Sequence, residues 1–309
     1  MKTIKAALVV FFAMTFSLAM QAKKVELRYT LEKGFEICFE LTSAQEIAQE
    51  VMGQSQSTQT RLVMATKFKV LDITPDGNYL MTRVITKVKI MVSSPMGDME
   101  FDTDNIEDDN PLAGSLSWLK DAPLEFVMSP SGEILEVKDA DKVAEEFTEK
   151  TSGGGPESQM IMALASQFTS EDGLKQSISM SLLKYPIKKV KVGKPWETVS
   201  EIEQLISFVS TTATMVNEIN GDLASLTQDV KIEQGEGENM MEMQGMEMEY
   251  ELSGGKQGAY EVDLKTGLIV KGEGITTISG IVSIDSPQLP APMSIPMTIK
   301  TTETVKRVE

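Results

Sequence analysis

Five methionines fall within nine residues: Met240, Met241, Met243, Met246 and Met248. Thioether sulfur is a soft ligand that selects Cu(I). Met-x-Met spacing along a strand puts two sulfurs on one face. Met241, Met243, Met246 and Met248 are therefore the candidate copper ligands. Methionine is also abundant elsewhere, with 21 in the chain, including Met91, Met128, Met215 and Met297. That spread fits an adaptable apolar lining, and no His or Cys stands beside the tract. Lining is the reading the distribution favours.

The run Asp102-Thr-Asp104-Asn-Ile-Glu-Asp108-Asp-Asn110 offers oxygen ligands of the hard kind that Ca²⁺ takes. Asp102, Asp104 and Asp108 are the candidate calcium ligands. The run lacks the Gly and the closing Glu of an EF-hand loop, and a solvated acidic loop accounts for it as well. Cys38 alternates with Phe35, Ile37, Phe39 and Leu41 and shares the opposite face with Glu36 and Glu40. With no Lys, Arg or His beside it in the sequence, it reads as a small strand residue rather than an activated thiol.

Catalytic chemistry is sparse. The chain has no His, so the commonest general base and metal ligand are both missing. No Gly-x-Ser-x-Gly turn is present, and aromatic residues make up only 6%, few for a sugar-stacking cleft. The chain is not expected to be an enzyme, and no cofactor is expected. Lys184, Lys188, Lys189, Lys191 and Lys194 form a basic cluster that suits anionic head groups. With Ile187, Val190 and Val192 turned inward on a strand, these lysines simply face water. Phe35, Trp118, Trp196 and Tyr260 are scattered and read as core.

The 309 residues carry 29 basic and 46 acidic side chains, a net charge of −17. That balance argues against nucleic acid as a partner, because phosphate binding needs clustered cations. Lys2 and Lys5 precede an apolar run from Ala6 to Met20 and then Gln21-Ala22, the pattern of a secretory signal peptide. The run is short for a membrane span, which needs about 20 apolar residues. Cleavage after Ala22 (Ala19 is the alternative) leaves a net charge of −19. The only Cys is far from that site, so the product is no lipoprotein. The expectation is an acidic protein exported to the periplasm or beyond, with no later transmembrane segment.

The elements that would hold these residues repeat. Lys67–Ile73, a Pro-Asp-Gly turn and Tyr79–Met91 parallel Met215–Ile219, an Asn-Gly turn and Leu223–Glu233. Pro95–Phe101 parallels Gln244–Tyr250. Pro123–Val137 parallels Ala259–Val270, each with a Gly turn, Gly132 or Gly267, between strands. Between the halves, 139–150, 157–168 and 171–183 show apolar residues at helical spacing, with Ser170 as a candidate N-cap. The segment from Thr42 to Gly53 is ambiguous, since Ser43 and Glu46 could form a capping box between flanking strands. The fold class expected is α+β, mostly antiparallel β, with two similar curved β units joined by a helical insertion. The boundaries are 1–22 signal peptide, 23–138 first unit, 139–184 helices and 185–309 second unit. The helices would pack on the concave side of the sheet. A pair of all-β sandwiches is the alternative.

From Tyr29 to Val308 the chain resembles a family of secreted bacterial proteins of uncharacterised function, found largely in Bacteroidetes. The residues that carry the likeness are Leu27-Arg-Tyr29, Lys33-Gly34, Asp76-Gly77, Ser131–Val137, Tyr185-Pro186, Val190–Trp196 and Asp263–Val270. The resemblance implies export and a β-rich fold and brings no catalytic residues. A second likeness, of architecture alone, is to periplasmic lipid carriers whose half-barrel sheets hold acyl chains. Together these readings lead to an exported, non-catalytic protein that binds a hydrophobic or amphiphilic ligand. The alternatives are an envelope module that binds another protein and a Met-rich Cu(I) binder. A carrier would enclose an apolar cavity of several hundred Å³, on the order of a typical ligand pocket.

Overall fold

The computed structural model describes residues 24–51, 53–95, 97–105, 120, 122–151, 170–202, 207–235, 239–243, 246–286 and 291–308. The expected signal peptide, the helix expected over 157–168, Trp118 and Asp108 lie outside the described residues. The chain is mostly antiparallel β. Its strands are β1 (Lys24–Val25), β2 (Glu36–Val51), β3 (Gln54–Ile73), β4 (Tyr79–Ser94), β5 (Gly97–Asp102), β6 (Pro123–Met128) and β7 (Ile134–Val137). After two helices come β8 (Val190–Lys191), β9 (Trp196–Ile202), β10 (Phe208–Asn220), β11 (Leu223–Gln234), β12 (Met240–Met243), β13 (Met246–Asp263), β14 (Leu268–Asp285) and β15 (Met293–Val308).

Among the described residues, 13 strands share one sheet in the order β7-β6-β4-β3-β2-β15-β14-β13-β11-β10-β9, with β5 added to β4 and β12 to β13. The first and last long strands are neighbours: β15 pairs with β2 from Met297–Gln49 to Val308–Cys38. The halves are thus joined through the sheet itself. Their pairing follows the same order, β3-β4-β6-β7 in one and β10-β11-β13-β14 in the other.

Alternation decides which face is inside. Ile37, Phe39 and Leu41 of β2 are buried, and so are Met64, Thr66, Phe68 and Val70 of β3. Residues between them carry charge: Glu36 binds Lys67 and Lys69 at 2.5 and 2.8 Å, and Lys306 binds Glu40 at 2.7 Å. The ambiguous segment after Leu41 is strand, because both neighbours supply a full ladder; tertiary pairing overrides the local capping pattern. One core draws on strands from both halves, including Phe39, Phe126, Val216 and Val262. Phe68 sits edge-on between Phe39 and Phe126, each centroid 6.1 Å away.

Helix α1 (Ala140–Thr151) and helix α2 (Glu171–Ser179) lie in the expected insertion. Ser170 caps α2, its Oγ accepting from the Gly173 N–H at 3.1 Å. Glu171 and Asp172 occupy the positive end of the helix dipole. Leu174 and Ile178, four residues apart, enter the core.

The segment before β2 ties the halves together at the base of the sheet. The Tyr29 N–H donates to the Pro130 carbonyl at 2.8 Å, and the Thr30 N–H to the Thr266 carbonyl at 3.0 Å. These acceptors belong to the β6–β7 and β13–β14 turns. Gly132 and Gly267 in those turns have φ of +85° and +76°. A Cβ on Gly267 would overlap the Arg28 carbonyl oxygen, so glycine is needed both for φ and for the close approach. The Tyr29 hydroxyl donates to the Leu183 carbonyl at 3.0 Å and accepts from the Leu183 N–H at 2.8 Å. Ile187, expected to point inward beside Val190, is 94% exposed; only Val190 and Val192 turn in, because β8 is two residues long and begins after it.

Candidate functional site

The long strands run past the packed core, and their inward register continues as a lined face. Strand pairing sets Ile232, Gly254, Ile278, Ile299 and Ile47 side by side in one row. The four isoleucines in this row are only half-buried. Nearer the core, the parallel row is polar: Lys256, Thr276, Thr301, Gln45 and Thr60. The Gln45 amide donates to Thr301 Oγ1 at 3.4 Å.

In this band Lys256 and Glu303 pair at 2.6 Å. Glycines make room for Lys256 and for Tyr260 beside it. A Cβ at Gly274 would meet Lys256 Cε at 2.8 Å, and one at Gly272 would overlap the Tyr260 ring. Both long side chains therefore lie flat over glycine backbone. Burial draws the Lys256 ammonium down, but the neighbouring Tyr260 and Glu303 outweigh it, so it sits above its ordinary value. Burial raises the Tyr260 hydroxyl, with Lys256 opposing and Glu303 adding.

On the same register, but ten residues along the strands from the isoleucine row and within the packed core, lies Arg83, 4% exposed. Register places it between Phe68 and Leu124. Its Nη1 donates to Ser177 Oγ of α2 at 2.9 Å, and that hydroxyl donates to the Leu174 carbonyl at 2.8 Å. Arg83 Nε has no partner, and neither has the buried Thr66 Oγ1. Among the described residues no carboxylate pairs with Arg83. Burial alone pulls its guanidinium down to about 10, so it is cationic at neutral pH. Taking an unpaired charge from water costs several kcal/mol. Sequence reasoning did not single out Arg83, yet the alternation Tyr79, Met81, Arg83, Ile85 carried the signal.

Of the three candidate calcium ligands, the two among the described residues, Asp102 and Asp104, are paired with lysines. Asp104 binds Lys87 at 2.7 Å and Lys120 at 3.3 Å, and Asp102 binds Lys89 at 3.3 Å. Among the described residues no group of three or more His, Cys, Asp or Glu could hold a metal ion. The methionine tract forms a ribbon: Met241 opposes Met248, and Met243 opposes Met246. With a period of two, the four positions share one face. Cys38 lies opposite Lys67 on the outer face, a neighbour the sequence did not reveal; that lysine is bound to Glu36.

A depression of about 460 Å³ crosses β4, β3, β2 and β15. Its lining is largely of the outward register and polar, with Glu46, Gln59, Arg61, Ser93 and Lys300 around Ala44. It is an open depression rather than the closed apolar cavity expected of a carrier.

The fold and its lined inner face define a β-rich protein built on a single long antiparallel sheet. The chain belongs to a family of unknown function, DUF6263, whose sequence profile matches residues 76–269. No curated protein matches it. Solved structures similar to it include an outer membrane channel from Pseudomonas putida F1, with 9% identity, coverage of 91% of this chain and 97% of that chain, and a TM-score of 0.27. OccK7 of Pseudomonas aeruginosa gives 6%, 88%, 99% and 0.25. Scores this low do not define a shared fold. No helix among the described residues is long and apolar enough to cross a membrane. A strand spanning lipid faces apolar residues outward; here the outer register of β2, β3 and β15 carries Glu36, Glu40, Lys67, Lys69, Lys300 and Lys306.

Proposed function

We propose that this is an exported, non-catalytic carrier of an amphiphilic molecule, held on the inner face of the sheet. The observation that carries the reading is the isoleucine row. Ile278, Ile299 and Ile47 stand side by side on three neighbouring strands, with Ile232 one strand further on beyond Gly254, all four half-buried and outside the packed core. An acyl chain laid along them would complete their burial, at about 25 cal/mol per Å² of apolar surface removed from water. The adjoining Thr, Gln and Lys256–Glu303 band supplies polar contacts to orient it. The two halves are proposed to descend from one duplicated unit, which their shared pairing order supports.

A second reading, Cu(I) binding, has one specific observation behind it: the four methionine positions on one face of the β12–β13 ribbon. One experiment weighs both. Protein purified from its own host is subjected to native mass spectrometry, organic extraction and metal analysis. A co-purifying amphiphile near one equivalent supports the carrier. Copper at one equivalent, without lipid, transfers the function to the methionine ribbon. A clean mass with neither removes support from both and points to an envelope module that binds another protein.

A further inference from the structure

We propose that the segment Pro186–Lys194, with Lys24 beside it, is a docking surface for an anionic phospholipid bilayer, and that Ile187 is the residue that enters the lipid. The inference goes beyond the carrier reading and does not depend on what the inner face of the sheet holds.

Ile187 is 94% exposed; the next most exposed large apolar side chain among the described residues, Val199, is 66%. An isoleucine left in water adds nothing to the core. Nor is it carried on a slack segment, because both ends are pinned. The Tyr185 N–H donates to the Ser131 carbonyl at 2.7 Å, and its hydroxyl donates to the Gly267 carbonyl at 2.7 Å. Further on, Val190 is buried and the Gly193 N–H donates to the Val216 carbonyl at 2.8 Å. Ile187 and Lys188 therefore stand on a short loop held out between two anchors.

Charge selects the partner. The chain carries a net charge of −17, yet Lys184 to Lys194 holds five lysines and no Asp or Glu. Lys184 binds Glu133 at 3.2 Å, and Lys189 lies 3.7 Å from Glu26. Lys188, Lys191 and Lys194 are exposed and have no carboxylate partner among the described residues. The β1–β8 pairing sets Lys24, also exposed, directly opposite Lys191. Like charges in that position repel each other, and an anionic surface relieves the repulsion. Lys191 is four residues from Ile187, so their Cα atoms are within about 14 Å, near enough for one flat surface to meet both. Lysine stems keep their ammonium groups among the head groups while an apolar neighbour enters the acyl boundary. A bilayer supplies both needs of this loop, negative head groups for the lysines and hydrocarbon for a lone isoleucine. The acidic remainder of the molecule is repelled by the same surface, which orients the docking.

The test is sedimentation of the mature chain, residues 23–309, with vesicles of phosphatidylcholine alone or mixed with phosphatidylglycerol. Binding should require phosphatidylglycerol and vanish in about 1 M salt, where the Debye length is about 3 Å. Lys188→Gln with Lys191→Gln should weaken it about 25-fold, at about fivefold per lysine. The control pair Lys231→Gln with Lys300→Gln should leave it unchanged. Ile187→Ser should weaken binding about tenfold without moving the melting temperature, since the side chain lies outside the fold. Ile187→Trp should gain blue-shifted emission, relative to wild type, when the mixed vesicles are added. No binding to the mixed vesicles, or equal binding to neutral ones, would overturn the proposal. An equal loss in the control pair would reveal a general charge effect and overturn the assignment to this segment. Binding untouched by Ile187→Ser, with no blue shift, would overturn the insertion and turn the patch into one that an acidic protein surface could meet as well.

Discussion

Glu36 shows how the outer face of the sheet is held. Hydrogen bonds from Lys67 and Lys69, reinforced by their charges, pull its carboxyl from 4.5 to about 2. Its ordinary value applies in the unfolded chain, so the ionised pair favours the folded state at every pH above about 4.5. That contribution fades as pH falls toward 2, where the folded carboxyl also takes up a proton. Glu36 is exposed, so water and salt screen the effect. Melting temperature should therefore drop less between pH 4.5 and pH 2.5 in Glu36→Gln than in wild type. Parallel curves for the two proteins would show that the pair contributes nothing. The pairing was not legible from sequence: Lys67 and Lys69 lie on the next strand, and register alone brings them to Glu36.

At the scale of elements, alternation made most strands readable, and the helical spacing of Leu174 and Ile178 with the Ser170 cap made α2 readable. What sequence hid was contact between distant pieces. The residues Thr42–Val51 follow a helix-like local pattern, yet β3 and β15 on either side turn them into strand. Arg83 sits on an apolar register in plain view, but only α2 folded over it shows that its charge is unpaired. The Gly turns were read as hairpin punctuation, whereas Gly267 also lets the segment around Tyr29 dock against the β13–β14 turn. A comparison separates the two roles. Gly221, in the β10–β11 turn, has φ of +61° with nothing within 4 Å of a Cβ. Gly221→Ala should cost only the strain of a left-handed residue, about 1–3 kcal/mol. Gly267→Ala adds overlap with the Arg28 carbonyl and the Tyr29 backbone, and its denaturant midpoint should fall distinctly further. Equal losses would mean that the docking is not tight.

The whole molecule depends on the seam between β2 and β15. Sequence reading placed two β units on either side of a helical stretch and left open whether they share a sheet; the pairing from Met297–Gln49 to Val308–Cys38 joins them. Cutting there would bare two long edges of unpaired N–H and C=O groups. It would also split a core that takes Phe39 and Phe126 from one half and Val216, Leu226 and Val262 from the other. The Tyr29 segment would lose one of the two turns it bridges, and the isoleucine row would lose Ile47 from its end. A sequence-level duplication does not make two independent folding units when the interface between the copies is a run of strand ladder. The intact chain should thus unfold in one transition, with circular dichroism and fluorescence coinciding. Residues 23–138 and 185–309 expressed separately should be unfolded or aggregated. A half that melts cooperatively on its own would show that the seam is dispensable.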